Sequence, residues 1–304
     1  MKAQAPDAAI DGAVEALSVL VAEPSPAYAL VDSGHGQKLE RFGERLLVRP
    51  EPQAMWAPSD PAAWDRADAR FEGGDDEDAP AGGTRGRWSA SLDDWTVDFG
   101  KARMILRMAG NHHVGLFPEQ APHWAFAADA LQGREARVLN LFGYTGAASL
   151  VLGAAGAQVT HVDASKKAIA WGRENQAASG LDDAPVRWIC DDARKFAARE
   201  VRRGRQYQGI VLDPPKFGRG PKNEVWNLFD DLPPLMEDVA AITAPDASFV
   251  LLTAYAIRAS ALSVGRLMKS ALPRGRVSAG ELALREEASG RLLATSMFAL
   301  WQPS

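Results

Sequence analysis

Val138-Leu139-Asn140-Leu141-Phe142-Gly143-Tyr144-Thr145-Gly146 is the stretch that points most directly to the fold class of this chain. An apolar run that predicts a strand enters a turn with two glycines, and a run of small residues that predicts a helix follows. Glycine permits a tight turn and a close approach of ligand to backbone, and N–H groups at a helix start can bind a carboxylate. The three-glycine dinucleotide pattern is not met, so an ordinary strand–helix turn remains an alternative for this loop.

Around this loop, apolar strand-like runs alternate with helical patterns. Runs of this kind, apolar on both faces and separated by helices, indicate βαβ units and a parallel sheet covered by helices. We therefore expect a Rossmann-like α/β fold whose strands lie within Arg137–Phe142, Gln158–Val162, Val186–Cys190, Gly209–Leu212 and Ser248–Thr253.

The last two apolar runs, Arg276–Arg285 and Arg291–Trp301, have no helical pattern between them. They predict a terminal antiparallel hairpin. A parallel sheet that ends in such a hairpin is more typical of a methyltransferase than of a dehydrogenase. We expect this Rossmann-like domain to occupy residues 125–304, with a helix through Ala125–Leu131 at its start.

The first 124 residues have a different pattern. Residues 1–27 predict an N-terminal helical or irregular segment, with a short helix ended by Pro24 and Pro26. Residues 28–124 predict a small β-rich module. Its final part has the pattern of a small antiparallel meander formed by Trp95–Phe99, Arg103–Met108 and His113–Phe117.

An acidic stretch interrupts this module at residues 58–86, which are rich in Asp, Ala, Gly and Pro. Such a composition cannot bury enough apolar surface to offset the entropy of ordering. We expect a mobile loop, held in place at Trp64 and Phe71.

Acidic residues follow two of the predicted strands. Asp163 ends one strand, and a carboxylate there commonly accepts hydrogen bonds from ribose hydroxyls; the alternative is a cap on the next helix. Asp191 and Asp192 end the next strand, where one could accept from an adenine amino group or cap the helix that follows. Cys190 lies on that apolar strand, and we interpret it as a packing residue rather than a nucleophile.

A fourth strand runs directly into Asp213-Pro214-Pro215-Lys216. Proline fixes φ and has no N–H donor, so two prolines stiffen the loop and leave carbonyl groups to accept from a substrate amino group. The position of this loop, after three strands with acidic or glycine-containing ends, identifies it as the candidate active-site loop.

These motifs together resemble those of the bacterial large-subunit rRNA methyltransferases that modify cytosine C5 or guanine N7. The resemblance covers Trp95–Trp301, and Val114–Gln120 is similar to the family's β-hairpin motif. It rests on Leu141–Gly146, Val162–Ser165, Arg173–Asn175, Asp191–Ala193 and Leu212–Phe217.

The resemblance implies a class I methyltransferase fold with S-adenosylmethionine in the cleft beyond the strand ends. It implies Gly143–Gly146 under the methionine part, Asp163 on ribose, Asp192 or Asp191 on adenine, and Gln120 near the cofactor. The residues expected to bind the cofactor are Gln120, Asn140, Phe142, Gly143, Tyr144, Thr145, Gly146, Asp163, Ala164, Ser165, Asp191 and Asp192. The expected catalytic residues are Asp213, Pro214, Pro215 and Lys216, with Tyr144, Phe217, Trp226 and Tyr255 as candidates to stack on a flipped base.

Two departures from the family pattern bear on the reaction. Family members that methylate cytosine C5 use a cysteine after the fifth strand, where this chain reads Thr253-Ala254-Tyr255. Because the covalent route needs a thiolate, we expect direct transfer to a base nitrogen instead. The arginine that usually ends the hairpin motif is replaced by Ala121.

The net charge of −5 conceals two opposite regions. Residues 60–80 hold eight acidic residues and two arginines, whereas Arg194–Lys222 holds nine Lys or Arg and only two acids. The basic run flanks the Asp213 loop, so it is either a phosphate contact or a solvated helix face. We expect an RNA substrate, with rRNA favoured. A methyltransferase for a small molecule or protein, and a binding module without catalysis, are the alternatives.

Composition narrows the remaining choices. No apolar run is long enough to span a bilayer, the N-terminal residues do not have a signal-peptide pattern, and the single cysteine fits a reducing compartment. The five histidines have no metal-ligand spacing with Cys190. We therefore expect a cytoplasmic protein with no bound metal and no membrane partner; the oligomeric state stays open.

Overall fold

The computed structural model describes residues 14–73, 86–108, 112–255 and 257–304. Within these residues the chain forms strands and α-helices, together with short 3₁₀ helices at Pro61–Arg66 and Pro118–Gln120. The α-helices are α1 (Ala121–Ala130), α2 (Ala147–Ala154), α3 (Lys166–Ala178), α4 (Ala193–Arg202), α5 (Leu228–Ile242) and α6 (Ala261–Ala271). The strands are β1 (Ala16–Ala22), β2 (Tyr28–Gly34), β3 (Gln37–Phe42), β4 (Arg45–Pro50), β5 (Ala69–Gly73), β6 (Gly86–Trp88), β7 (Trp95–Phe99), β8 (Ala102–Leu106), β9 (Arg137–Leu141), β10 (Gln158–Asp163), β11 (Val186–Cys190), β12 (Gly209–Leu212), β13 (Phe217–Arg219), β14 (Val225–Asn227), β15 (Phe249–Tyr255), β16 (Arg276–Arg285) and β17 (Leu292–Gln302).

The main sheet has eight strands in the order β1-β16-β17-β15-β12-β9-β10-β11. Of these described strands, only β17 runs antiparallel to the others. The predicted Rossmann-like sheet and its terminal hairpin are confirmed. Between β9 and β12 the strand order reverses, and in sheets of this kind the crevice beyond the carboxyl ends at such a point holds the ligand.

Helices cover both faces of this sheet, as its doubly apolar strands require. On one face α4, α5 and α6 bury Phe196, Leu235 and Met268 against β9, β12 and β15. On the other face α1 and α2 bury Ala127 and Leu152 against the same strands. The sheet is therefore held rigid from both sides, and the loops at its carboxyl edge start from fixed positions.

The N-terminal segment differs from the prediction. Ala16–Ala22 is a strand, not part of a helix, and it pairs in parallel with β16 at the edge of the main sheet. The physical reason is that a short isolated helix is marginally stable in water, whereas the edge of β16 pairs with the backbone along the whole of β1. Residues 1–13 lie outside the described part, and the boundaries expected at residues 27 and 124 stay predictions.

The N-terminal module is β-rich, as expected, with a five-stranded sheet in the order β2-β3-β4-β5-β6. Trp64 and Phe71 are buried in it, as predicted, but residues 61–66 form a 3₁₀ helix and 69–73 form β5. The expected mobile loop was therefore too long, because these two aromatic side chains order its first half. The remaining acidic residues, 74–85, lie outside the described part.

The predicted meander before α1 is a two-stranded hairpin, β7–β8. His113–Phe117 is not a strand. Gly115 in this segment has a φ of +99°, and it packs against the side chain of Trp171 on α3. The helix α1 begins at Ala121, four positions earlier than its predicted core. None of the described helices is long and apolar enough to cross a membrane.

Candidate active site

A cavity of about 480 Å³ opens at the carboxyl edge of the sheet, where the order reverses between β9 and β12. Its volume lies within the range of small-molecule and cofactor sites. Loops after β9, β10, β11 and β12 converge on it. Twelve of the sixteen predicted site residues line it: Gln120, Phe142, Tyr144, Asp163, Ala164, Ser165, Asp191, Asp192, Asp213, Pro214, Pro215 and Lys216.

The other four predicted residues do not line this cavity. Asn140, Gly143 and Thr145 line a narrower space of about 50 Å³ that adjoins the same loop. Gly146 lines neither space, because it caps α2 and packs against Trp188. These residues support the loop, and a direct contact with the cofactor stays a prediction for them.

The loop after β9 has an unusual backbone. Phe142 (φ 58°) and Tyr144 (φ 49°) both adopt the left-handed conformation, which non-glycine residues rarely occupy. Gly143 itself does not; it is required because a Cβ there would lie 2.3 Å from His161. Such strain persists only where the surrounding structure imposes it, and it concentrates at functional sites. The glycine pattern thus reflects packing against His161 rather than ligand approach alone.

Asp163 holds this loop from the end of β10. Its carboxylate accepts hydrogen bonds from the backbone N–H groups of Tyr144 (2.9 Å) and Ser165 (2.8 Å). Burial raises the pKa of Asp163 above its usual value. The alternative role as helix cap belongs to Ser165, whose hydroxyl accepts from the N–H of Ala168. Asp163 therefore lines the cavity as an acceptor that positions the loop.

The two aspartates after β11 have different surroundings. Asp192 caps α4, because its Oδ1 accepts from the N–H of Lys195 at 2.9 Å. Asp191 accepts from the guanidinium of Arg199 at 2.5 Å. Both line the cavity. The capping alternative is thus correct for Asp192.

Asp213 lies at the end of β12 in the wall of the cavity. Burial, together with the negative charge of Glu119, raises its pKa to about 7. The side-chain amide of Gln120 donates to its Oδ2 at 3.0 Å. Near neutral pH this carboxyl group can therefore exist in either charge state, which is the property of a proton acceptor.

Gln120 is fixed by further contacts. Its Oε1 accepts from the hydroxyl of Thr253 at 3.1 Å and lies 3.3 Å from Nδ1 of His123. The predicted place of Gln120 at the cavity is consistent with this geometry. Glu119, His123 and Thr253 were not among the predicted site residues. Glu119 lay inside the quoted hairpin motif, but its effect on Asp213 depends on a contact between distant parts of the chain.

The carbonyl group of Pro215 already accepts a hydrogen bond within the chain. The indole N–H of Trp226 donates to the carbonyl of Pro215 at 2.6 Å, and its ring packs on Phe142 at 4.8 Å. The carbonyl of Pro214 is the remaining candidate to accept from a substrate.

The four aromatic candidates for base stacking separate into two groups. Tyr144, Trp226 and Tyr255 line the cavity, although Trp226 is mostly buried. Phe217 does not line it, and its side chain is 41% exposed. Phe217 is therefore placed outside the cavity rather than over a base within it.

Much of the basic run is paired within the chain. The ion pairs join Arg194 to Asp231, Lys195 to Glu224, Arg199 to Asp191 and Arg203 to Glu200. These contacts support the interpretation of a solvated helix face for α4. Arg219 and Lys222, by contrast, are exposed beside the cavity.

Comparisons with known proteins agree with this geometry. A family model described as S-adenosylmethionine-dependent methyltransferase matches residues 60–251. The crystal structure of an S-adenosylmethionine-dependent methyltransferase from Agrobacterium tumefaciens is 46% identical, with a TM-score of 0.88 over 94% of each chain. A protein from Streptococcus mutans, described as a methyltransferase with the same cofactor, shares the fold at 16% identity and a TM-score of 0.67, over 91% of this chain and 76% of that one.

Curated sequences align over shorter stretches. Ribosomal RNA large subunit methyltransferase I of Shewanella denitrificans is 38% identical over 116 residues, which are 38% of this chain and 29% of that protein. Ribosomal RNA large subunit methyltransferase K/L of Shewanella frigidimarina is 29% identical over 157 residues, 51% of this chain and 21% of that one. The matched part is thus less than a third of the length of either relative.

Proposed function

The chain belongs to the S-adenosylmethionine-dependent methyltransferases, and from this membership we propose that it methylates a base nitrogen of ribosomal RNA at Asp213-Pro214-Pro215-Lys216. The single observation that carries the proposal is the Asp213 carboxyl group, whose pKa is raised to about 7 in the wall of the cavity.

The residues of the cavity fit the cofactor. A carboxylate at the end of β10 (Asp163) and another at the end of β11 (Asp192) supply acceptors for hydroxyl and amino groups, as ribose and adenine require. Phe142 and Val162 supply apolar surface between them. We assign Asp163 to ribose and Asp192 to adenine, because Asp191 is already paired with Arg199.

When bound, the cofactor supplies a sulfonium methyl group, and its sulfur keeps the electron pair of the broken C–S bond. The chain must then position an acceptor nitrogen whose lone pair forms the new N–CH₃ bond. A nitrogen that carries a hydrogen becomes positive on transfer and loses that proton. In this proposal Asp213 takes that proton, and the Pro214 carbonyl accepts from the amino group and holds it in line.

A covalent route through cysteine finds no support. Ala254 is fully buried in β15, where family members that attack cytosine C5 place their nucleophile. Cys190 lies on β11, its sulfur contacts the carbonyl of Ala164, and burial raises the pKa of its thiol. A thiol with a raised pKa is a poor source of thiolate. Direct transfer to nitrogen is therefore the reaction that these residues favour.

The choice of RNA is supported by the names of the curated relatives, which are ribosomal RNA large subunit methyltransferases. The exposed cations Arg219 and Lys222 beside the cavity agree with a polyanionic substrate. A cytoplasmic location belongs to the same proposal, since the ribosome and its RNA are assembled there and the single cysteine fits a reducing compartment.

The test is transfer of labelled methyl groups to separated rRNA, tRNA and protein fractions. We expect label in rRNA, at a position that nuclease digestion identifies as a methylated base nitrogen. Asp213→Asn should retain the cofactor, measured by calorimetry, and lose about 100-fold or more of the transfer rate. Label confined to protein or to a small molecule would contradict the RNA assignment.

A further inference from the structure

The hairpin β13–β14 follows the Asp213 loop and has two distinct faces. Gly218 pairs with Trp226, and this inner pair packs toward the cavity, where Trp226 contacts Phe142. Side chains alternate along a strand, so the neighbouring residues point the other way. Phe217 and Val225 therefore form an outer face, and Arg219 beside them also lines the cavity.

This outer face exposes apolar surface beside the cavity mouth. Phe217 is 41% exposed and Val225 is 72% exposed. Phe229, at the start of α5 immediately after the hairpin, is 51% exposed. Grouped exposed apolar side chains with polar neighbours indicate an interaction site.

The charges of this region complement an anionic partner. Its acidic residues Glu224 and Asp231 are engaged by Lys195 and Arg194, and Asp230 accepts from the amide of Asn227. Arg219 and Lys222 are exposed and have no carboxylate partner among the residues that the structure describes. Lys216 adds a further cation, with its Nζ 5.6 Å from the centre of the Phe217 ring.

We propose that the outer face of the β13–β14 hairpin binds single-stranded RNA next to the nucleotide that enters the cavity. Phe217 stacks on an unpaired base, and Arg219 and Lys222 contact the flanking phosphates. Aromatic rings between cations are the combination that binds single strands, because every base has a stacking face and every linkage a phosphate. This inference rests on the proposed function and adds the position of the RNA strand on the protein surface.

The first test measures RNA affinity directly. A fluorescent single-stranded RNA oligonucleotide is titrated with the protein and its anisotropy recorded. Phe217→Ala and Phe217→Leu should each weaken binding by about 5- to 100-fold, because both lose the stacked ring. Retained binding in Phe217→Leu alone would mean that apolar contact suffices, and it would overturn the stacking role.

Matched controls use exposed residues away from this face. Leu17→Ala removes a comparable exposed apolar side chain from β1, at the outer edge of the sheet. Arg276→Ala removes an exposed arginine at the start of β16, on the edge opposite the cavity. Both should leave RNA affinity within about twofold, as expected of isolated surface positions.

Salt dependence separates the phosphate contacts from stacking. Lys222→Ala should reduce the slope of log affinity against log salt by about 0.7, the value for one phosphate contact on a single strand. Phe217→Ala should leave that slope unchanged while lowering the affinity. A Lys222 variant with the slope of the wild type would overturn the phosphate contact.

The result for the hairpin and the result for the proposed function can be told apart. The hairpin proposal fails if Phe217→Ala and Lys222→Ala bind RNA as the wild type does, or if the wild type binds no RNA. The proposed function fails if the wild type binds RNA but places no label in rRNA. Calorimetry with S-adenosylmethionine checks that each variant retains a folded cofactor site.

Discussion

The charge of the Asp213 carboxyl group depends on its burial and on Glu119, and this predicts how the rate of methyl transfer depends on pH. Below its pKa of about 7 the carboxyl group is protonated and cannot accept a proton, so the rate of transfer should rise as pH increases through 7. Since the charge of Glu119 helps to raise this pKa, Glu119→Gln should move the midpoint of the kcat/KM profile to lower pH.

Glu237→Gln is the control for this profile. Glu237 is exposed on α5, and the substitution removes one negative charge at a site other than Glu119. Its midpoint should coincide with that of the wild type. An unchanged midpoint in Glu119→Gln would show that burial alone sets the charge of Asp213.

Asp163 provides a second prediction at this scale. Asp163→Ala removes the acceptor of the Tyr144 and Ser165 N–H groups and the proposed ribose contact. Affinity for S-adenosylmethionine should fall by about 1–3 kcal/mol, measured by calorimetry. Ser260→Ala, which removes the cap of α6, should lower stability by about 1 kcal/mol without changing that affinity. Equal affinities for the wild type and Asp163→Ala would exclude the ribose role.

Single residues at strand ends could be predicted because their positions follow from local patterns. Asp163, Asp192 and Asp213 each end an apolar run, and parallel strands bring those ends to one edge. Glu119 and Thr253 could not be found in this way. Glu119 acts on Asp213 through its charge and Thr253 acts through Gln120, and both effects depend on contacts between separate parts of the chain.

At the scale of elements, the central strands were predictable and β1 was not. Strands β9, β12 and β15 are apolar on both faces, whereas β1 exposes Leu17 and Val19 and owes its conformation to one partner, β16. That partner lies at the other end of the sequence. The sequence around β1 therefore contains no pattern from which this pairing could be predicted.

The close approach of β1 to β16 depends on Gly280. A Cβ at this position would lie 1.8 Å from the carbonyl oxygen of Ser18. Gly280→Ala should therefore displace β1, at a cost of about 1–3 kcal/mol in unfolding free energy. Hydrogen exchange should accelerate in Ala16–Ala22 and stay slow in β9 and β12. Ser278→Ala, which adds no atom to the same strand, is the control; unchanged protection of β1 in Gly280→Ala would contradict this account.

At the scale of the whole molecule, a buried group of charges links the N-terminal module to the cavity. Arg49 pairs with Glu40, Lys38 pairs with Glu51, and Arg49 also donates to the carbonyl of His112. Although burial opposes it, Arg49 and Lys38 lower the pKa of Glu40. His113, next in the chain, lines the cavity, so the module supports one of its walls.

Breaking this group should cost much more than breaking a surface pair. Glu40→Gln leaves Arg49 buried without a carboxylate, and we expect a loss of about 3–5 kcal/mol in urea unfolding. Asp98→Asn, which breaks the exposed pair with Arg103, should cost less than about 1 kcal/mol. Similar losses in the two variants would show that the buried charges contribute little to stability.

The pairing of β1 with β16 also has a consequence for biosynthesis. During translation β1 leaves the ribosome long before β16 has been made, so an apolar strand with free backbone groups must wait for its partner. The contact has a very high sequence separation, and such contacts form late because closing a long loop costs entropy. The outer edge of the sheet is therefore completed only when most of the chain has been synthesised, and until then the unpaired β1 is open to wrong pairing.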